Sequence, residues 1–256
     1  MKILAIGDVT DERAVSYLTS RLWDERRRLG ADLVLVNGEN AGFIRGASVE
    51  QAKSLLSAGA DVITGGNHTL SGAGILHAAE NLPGVLRPLN LPDAPGFGYT
   101  IAEPLGYRVL VISALGRALM NNTVDCPFRA IDRLLAAEEG RYDAAIVDFH
   151  AESSGEKLAL AHYLDGRVAA VIGTHTHVPT ADEQILPGGT AYLTDVGMCG
   201  PAGSILGSLP DSVIYRYLSG VYAPLVPGTG EICADGVLIE VDPSRGCATA
   251  IQRVRI

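Results

Sequence analysis

The chain has 256 residues, of which 47% are hydrophobic, and it carries a formal net charge of −9 at pH 7. This length allows one large domain with a substantial core, and no apolar run is long enough to span a bilayer. The negative charge argues against a protein that coats nucleic acid, because such proteins usually present a basic face.

Short apolar runs typical of buried strands alternate with helical stretches over residues 1–177. The runs are, in chain order, KILAIGD, DLVLVNGEN, DVITGGNH, YRVLVISAL, DAAIVDFH and VAAVIGTHTH. Helices are predicted between them over residues 12–29, 48–59, 127–138 and 155–164. This alternation is typical of an α/β protein.

The remaining segments differ in character. LRPLNLPDAPGFGY predicts a long loop, while TAYLTDVG, DGVLIEVD and CATAIQRVRI predict mixed or antiparallel strands with few helices. No repeat or linker divides the sequence, so we expect a single domain over residues 1–256. The four cysteines form no C-x-x-C pair, and the start of the chain has no signal-peptide pattern. We therefore expect a cytoplasmic protein without disulfides or a thiolate metal site.

The early strand runs end in side chains that can bind a metal ion. These side chains are Asp8, Glu39, Asn40, Asn67, His68, His150, His175 and His177. Ligands of open α/β sheets bind beyond the carboxyl ends of the strands, so we expect these residues to lie together. His175 and His177 would share one side of the chain if extended geometry persists that far.

Each of these residues also has a purely structural interpretation. Asp8 alone is well explained as the N-cap of the following helix, and His150 as an ordinary buried histidine. The GEN and GGNH segments could be turns, and the histidine pair could lie in a surface loop. All of these interpretations would have to hold at the same end of successive strands, which makes a common site the better explanation.

The number of candidate ligands distinguishes one metal ion from two. Seven side chains are candidates, namely Asp8, Glu39, Asn40, Asn67, His150, His175 and His177. A transition-metal ion that also holds substrate rarely takes more than three or four protein ligands, so seven predict two ions with a shared carboxylate. Oxygen and imidazole ligands suit iron, manganese or zinc. Two such ions, about 3.5–4 Å apart, can hold both ends of an in-line displacement at phosphorus.

The ordered motifs GD, GEN, GGNH, FH and GTHTH resemble those of the calcineurin-like metallophosphoesterases. More narrowly, they are similar to the YmdB-like phosphodiesterase branch, which has Glu-Asn where most of the superfamily has Gly-Asp. That branch also lacks the histidine of the usual Asp-x-His opening, and Thr10 stands at that position here. DFHAESSGEKLAL, ILPGGTAYLTDVGMCGP and RPLNLP fit as well, so the resemblance covers nearly the whole chain.

The resemblance implies a four-layer α/β/β/α sandwich of two mixed sheets flanked by helices, and a division of the ligands between two ions. One ion would be held by Asp8, Glu39, Asn40 and His177, and the other by Glu39, Asn67, His150 and His175, with Glu39 bridging. Iron is the favoured metal, with manganese and zinc as alternatives. A metal-bridging hydroxide would attack a phosphate diester, a 2′,3′-cyclic nucleotide above all, and His68 would be the general acid.

Two segments depart from the family pattern. DVTDERAV, which contains Asp8, is acidic and lacks the usual glycines. TLSGAG follows His68, where family members commonly have an aromatic residue and an acid. The second change removes a possible base-stacking wall or a partner that would orient His68.

The sequence is also compatible with other functions. One is a regulatory protein that binds metal and nucleotide with little turnover, and another is a phosphomonoesterase. A di-iron redox protein is disfavoured, because such sites are usually built from Glu-x-x-His helices in a bundle. We expect a small phosphodiester substrate, no stable nucleic-acid binding and no membrane association, and a homo-oligomer is one option for the assembly. Asp148 and Asp195 are candidate partners of an imidazole, and Arg117 and Lys157 are candidate phosphate contacts.

Overall fold

The computed structural model describes residues 1–71 and 81–256. The strands are β1 Lys2–Ile6, β2 Asp8–Val9, β3 Leu33–Asn37, β4 Val62–Thr64, β5 Tyr99–Ala102, β6 Val109–Leu115, β7 Ala144–His150, β8 Ala170–Thr174, β9 Gln184–Ile185, β10 Ala191–Leu193, β11 Met198–Pro201, β12 Ile232–Asp242 and β13 Cys247–Arg255. The helices are α1 Glu12–Leu29, α2 Val49–Ser57, α3 Pro127–Ala137, α4 Ser154–Leu164 and α5 Pro210–Ser219, with a short 3₁₀ helix at Pro104–Gly106.

The strands form two mixed sheets. The first sheet has the order β2-β11-β12-β1-β3-β4, and β13 also pairs with β12. Within it β1, β3 and β4 are parallel, whereas β12 runs antiparallel to β1 and to β11. The second sheet has the order β5-β6-β7-β8-β10-β9, in which β6, β7, β8 and β10 are parallel and the two edge strands are antiparallel.

The alternation of side chains along the strands creates three apolar layers. In β1, Ile3 faces residues of the second sheet such as Val111, whereas Leu4 packs with side chains of α1. In β6, Leu110 lies on the opposite face from Val111 and packs with Ile131 of α3. Both faces of each sheet are therefore buried, with the sheets against each other and helices outside. The expected four-layer sandwich of two mixed sheets is confirmed.

Capping residues explain why the helix boundaries match the sequence patterns. The side chain of Asp11 accepts a hydrogen bond of 2.8 Å from Ala14 N at the start of α1, and Gly30 ends that helix in a left-handed conformation. Ser48 and Gln51 form a reciprocal capping box at the start of α2. The predicted helices end within two residues of the observed ones.

Several elements were not predicted. The strands β2 and β9 have two residues each, which is too short for a periodic pattern. The strand β5 begins at the last residue of the predicted long loop, and α5 lies in the part of the chain where few helices were expected. Within the described ranges, no helix is long and apolar enough to cross a membrane.

Candidate metal centre

The carboxyl ends of strands from both sheets meet at one place. Asp8 begins β2, Glu39 follows β3, Asn67 follows β4 and His150 ends β7. Asp8 Oδ1 lies 3.6 Å from His150 Nδ1, and Asn67 Oδ1 lies 3.0 Å from His150 Nε2. The structure therefore brings the predicted residues of the two sheets into direct contact.

Asp8, Asn40 and His177 form a first group. His177 Nε2 lies 3.1 Å from Asn40 Nδ2 and 3.8 Å from Asp8 Oδ1. His177 Nδ1 donates to the carbonyl oxygen of Leu206 over 3.1 Å. Because a carbonyl only accepts, the proton lies on Nδ1, and Nε2 presents its lone pair to the group.

Asn67, His150 and His175 form a second group. His150 Nε2 lies 3.0 Å from Asn67 Oδ1 and 3.1 Å from His175 Nδ1. On the other side of His175, Nε2 lies 3.1 Å from a carboxylate oxygen of Glu152, which fixes the proton on Nε2. The lone pair of His175 Nδ1 therefore points toward His150.

A chain of hydrogen bonds fixes the tautomer of His150. The hydroxyl of Thr174 donates to Asp148 over 2.8 Å, so it accepts from His150 Nδ1 at 3.0 Å. His150 Nε2 then carries a lone pair that faces two further lone pairs, those of Asn67 and His175. Three acceptors in contact with no proton between them repel one another, and a cation among them removes the repulsion.

Asp148 was a candidate for fixing the tautomer of an imidazole. It does so for His150 through the hydroxyl of Thr174 and not by direct contact. Asp148 also accepts from Asn37 Nδ2 over 3.0 Å and from the hydroxyl of Thr64. Burial raises the pKa of Asp148, although these hydrogen bonds favour its charged form.

Glu39 lies buried between the loops that follow β3 and β4. Its carboxylate accepts from the backbone N–H groups of Gly66 and His68 and from the hydroxyl of Thr69. Its Oε1 atom is 3.9 Å from His150 Nε2. Burial raises the pKa of Glu39 to about 8, because a carboxylate that loses its water without gaining a cation is poorly stabilised.

Asp8 is an incompletely satisfied buried carboxyl group. Oδ2 accepts from the backbone N–H of His175 over 3.1 Å, but Oδ1 has no hydrogen-bond partner within the described residues. Burial and the negative charge of Asp195 raise the pKa of Asp8 well above its usual value. A bound cation beside Oδ1 would satisfy this oxygen and favour the ionised form, so the donor set fits a metal.

No group of three or more His, Cys, Asp and Glu side chains in residues 1–71 and 81–256 forms a metal site by itself. Each group described above contains two such residues, and its third member is Asn40 or Asn67. An amide oxygen is also a metal ligand, and Asn67 presents its oxygen to its group, whereas Asn40 presents its amide nitrogen to His177 and would bind a metal ion only with the amide turned over. The assignment of the seven ligands stays a prediction.

Gly66 shows why the GGNH segment needs its glycines. A Cβ atom at Gly66 would lie 2.2 Å from His150 Cδ2, and one at Gly65 would lie 2.0 Å from Thr69 Oγ1. The backbone of this segment can approach the imidazole ring only because no side chain intervenes. That close approach puts Asn67 beside His150.

The condition under which His175 and His177 would share one side of the chain is not met. The strand β8 ends at Thr174, and His175 and His177 have φ values of 105° and 63°, so the pair is not extended. The two imidazoles consequently enter different groups and do not share one side of a strand. The structural alternative for Asp8 was wrong, because Asp11 caps α1.

The predicted phosphate contact of Lys157 was wrong as well. Lys157 is fully buried, and its Nζ lies 2.8 Å from Asp195. Asp195 also accepts from the backbone N–H groups of Thr176 and Gly197. It therefore fixes the loop that carries His175 and His177, and it has no hydrogen bond to an imidazole of residues 1–71 and 81–256. Arg117 is exposed and does not line the cavity beside the metal-ligand groups.

A cavity of about 700 Å³ opens beside both groups. The polar part of its lining, here called the polar end, includes Asn40, His68, Glu152, His175 and His177. His68 is half-buried there, and burial lowers its pKa. The other walls are mainly apolar and include Phe43, Ile44, Leu206, Val213, Tyr217 and Tyr222.

Sequence reasoning missed Glu152 and Thr174, although each lies next to a motif. Glu152 comes two residues after His150, and Thr174 precedes His175 directly. A polar residue adjoining a histidine motif was the available signal, but only the structure shows which imidazole atom each one contacts.

Comparisons with known proteins agree with the fold and the motifs. The family described as YmdB-like protein matches residues 4–254. A 2′,3′-cyclic-nucleotide 2′-phosphodiesterase of Bacillus subtilis (strain 168) is 38% identical over 257 residues, covering 100% of this chain and 97% of the relative. A putative phosphatase/phosphodiesterase of Mycoplasma pneumoniae is 34% identical, covering 100% and 93%. The crystal structure of a hypothetical protein from Thermus thermophilus superposes with a TM-score of 0.92 at 40% identity, covering 100% and 99%. This chain therefore belongs to the YmdB-like family.

Proposed function

We propose that this protein is a binuclear metal-dependent phosphodiesterase that hydrolyses small diesters, in particular 2′,3′-cyclic nucleotides. The observation that carries the proposal is the convergence of three lone pairs, those of Asn67, His150 and His175, on one point beside the cavity. The activity for which the Bacillus subtilis relative is named supports the substrate class.

The two groups support a division of the ligands between two ions. Asp8, Glu39, Asn40 and His177 would hold one ion, and Glu39, Asn67, His150 and His175 the other. The donors are oxygen and imidazole nitrogen without thiolate, which favours iron first, with manganese or zinc as alternatives. When bound, the two cations supply positive charge that polarises the phosphate and acidifies the attacking water.

The protein's own contribution to this centre is orientation. Asp148 acts through Thr174 on His150, Glu152 acts on His175, and the carbonyl of Leu206 acts on His177. Each contact fixes the proton on the ring nitrogen that faces away from the group. The opposite nitrogen is thereby kept ready as a ligand before any metal arrives.

His68 is the proposed general acid. Its backbone N–H donates to Glu39, which fixes the residue at the polar end of the cavity beside the metal ligands. Because burial lowers its pKa, its imidazole favours the neutral form in the free protein, and the negative charge of a bound phosphate would favour the protonated form. Protonation of the departing sugar oxygen matters because an alkoxide is a poor leaving group.

Substrate ranking tests the reaction type. With iron, manganese or zinc, we expect 2′,3′-cyclic AMP to be cleaved faster than 2′-AMP or 3′-AMP, and bis(p-nitrophenyl) phosphate faster than p-nitrophenyl phosphate. Initial rates at matched metal content measure both rankings. Faster cleavage of the monoesters with every metal would make the protein a phosphomonoesterase, and tight binding of nucleotide without turnover would make it a binding protein.

Replacement of Glu152 tests whether this residue orients the His175 imidazole for metal binding. Glu152→Ala should weaken the ion that His175 helps to hold by about 10–100-fold, the usual effect of removing a carboxylate that orients a ligand. The other ion should be retained. Titration against a competing chelator measures both affinities, and Glu152→Gln is the matched control because its amide oxygen can still accept from His175. Unchanged affinities in Glu152→Ala would refute the orienting role.

A further inference from the structure

One apolar part of the cavity lining, here called the apolar end, is formed by α5 and the segment directly after it. Val213, Tyr217, Val221 and Tyr222 line this end, and we call these four side chains the tyrosine wall. Tyr217 is 87% exposed and Tyr222 is 89% exposed, and α5 contains no buried residue. Aromatic side chains that line a cavity but bury little of their surface are typical of a site that a ligand completes.

Arg216 holds part of the wall in place. Its Nε donates to the carbonyl oxygen of Ala223, and its Cζ lies 4.4 Å from the centre of the Tyr222 ring. The guanidinium thus joins α5 to the following turn and stacks on Tyr222. The ring is held in a defined position although most of its surface is open.

The cavity offers the two kinds of surface that a nucleotide contacts. One cavity of about 700 Å³ is lined both by His68, His175 and His177 and by the four side chains of the tyrosine wall. A sugar phosphate would use the polar end, whereas a flat heterocycle suits aromatic and aliphatic side chains. The described residues directly after His68 are Thr69, Leu70 and Ser71, so that segment supplies no ring for stacking.

We propose that the tyrosine wall stacks against the base of the substrate while the phosphate lies at the metal centre. This inference rests on the proposed function and adds what selects the substrate: the site takes nucleoside esters in preference to diesters without a base. Stacking on an aromatic side chain is sequence-tolerant, because every base has a π-face.

Steady-state kinetics of the metal-replete full chain test the inference. Tyr217→Ala and Tyr222→Ala should each raise KM for 2′,3′-cyclic AMP by about 5- to 150-fold, the equivalent of the usual stacking contribution. The constants for methyl riboside 2′,3′-cyclic phosphate, which lacks a base, should not change. Tyr217→Phe and Tyr222→Phe should keep the affinity. Tyr215→Ala is the matched control, because Tyr215 is a tyrosine of the same helix, 54% exposed, that does not line the cavity.

A binding measurement separates this inference from the proposed function. Calorimetry with 3′-AMP should show the same loss of affinity in Tyr217→Ala and Tyr222→Ala even if the protein cleaves no ester. Failure of every ester to react, with this loss present, would overturn the proposed function and keep the stacking site. Equal effects on substrates with and without a base, or no effect on either, would overturn the stacking site. A change of oligomeric mass in Tyr217→Ala with unaltered nucleotide binding would instead assign the wall to contact with a second copy of the chain.

Discussion

Replacing Glu39 with alanine should empty both metal positions together and abolish hydrolysis. Glu39 is 1% exposed and its Oε1 atom lies 3.9 Å from His150 Nε2, while His150 Nδ1 lies 3.6 Å from Asp8 Oδ1, so Glu39 lies where members of both ligand groups meet. A shared ligand affects both ions when it is removed. Elemental analysis of anaerobically reconstituted protein should find about two metal equivalents in the wild type and well below one in Glu39→Ala.

His150→Ala is the matched comparison. Its imidazole belongs only to the group with Asn67 and His175, so this variant should lose mainly one ion. A firm value of one equivalent in the wild type, unchanged on reconstitution, would contradict two ions. A full equivalent retained in Glu39→Ala would show that Glu39 is not shared.

Replacing His68 with alanine should slow hydrolysis by an amount that depends on the leaving group. With a 2′,3′-cyclic nucleotide, the loss should be on the order of 10²–10⁴-fold, the usual contribution of a positioned general acid. With bis(p-nitrophenyl) phosphate the loss should be much smaller, because p-nitrophenolate departs without a proton. Rates of both substrates and metal content are measured on the same preparation, and both metals should remain bound.

His162→Ala provides the control, because His162 is an exposed histidine of α4 away from the cavity. It should leave both rates unchanged. Equal losses on the two substrates in His68→Ala, with metal content intact, would refute the acid role and indicate that His68 stabilises charge on the phosphate. Loss of one metal equivalent would identify His68 as a ligand.

Much of the fold could be predicted because the local preferences of the sequence for helix and strand agree with the way these elements pack in the whole structure. Asp11 and Gly30 cap α1 at the ends that its pattern indicates, and the buried runs became the parallel strands of both sheets. Asp8 and Glu39 follow the neighbouring parallel strands β1 and β3, which end at one edge of the first sheet, whereas the position of His150 beside them also depends on how the second sheet packs on the first.

The remaining features depend on contacts between segments distant in sequence. Lys157 lies on a helix and pairs with Asp195, 38 residues away, which no local pattern reveals. The positive φ values of His175 and His177 are imposed by the surrounding structure and contradict the extended pattern of the preceding strand. The helix α5 buries no residue, so it lacks the packed face on which helix prediction relies.

The polar network around Asp148 has a consequence for how the two sheets are aligned. Asn37 of β3 and Thr64 of β4 belong to the first sheet, and both donate to Asp148 of the second sheet inside a largely apolar interior. Apolar packing is non-directional, so contact between hydrophobic faces alone tolerates small sliding movements of one sheet over the other. Hydrogen bonds require defined distances and angles, and an offset would leave the buried Asp148 without Asn37 and Thr64 and with Thr174 of its own sheet as the remaining donor. The network therefore fixes the relative position of the two sheets. It holds the strand ends of one sheet opposite those of the other before any ion is bound.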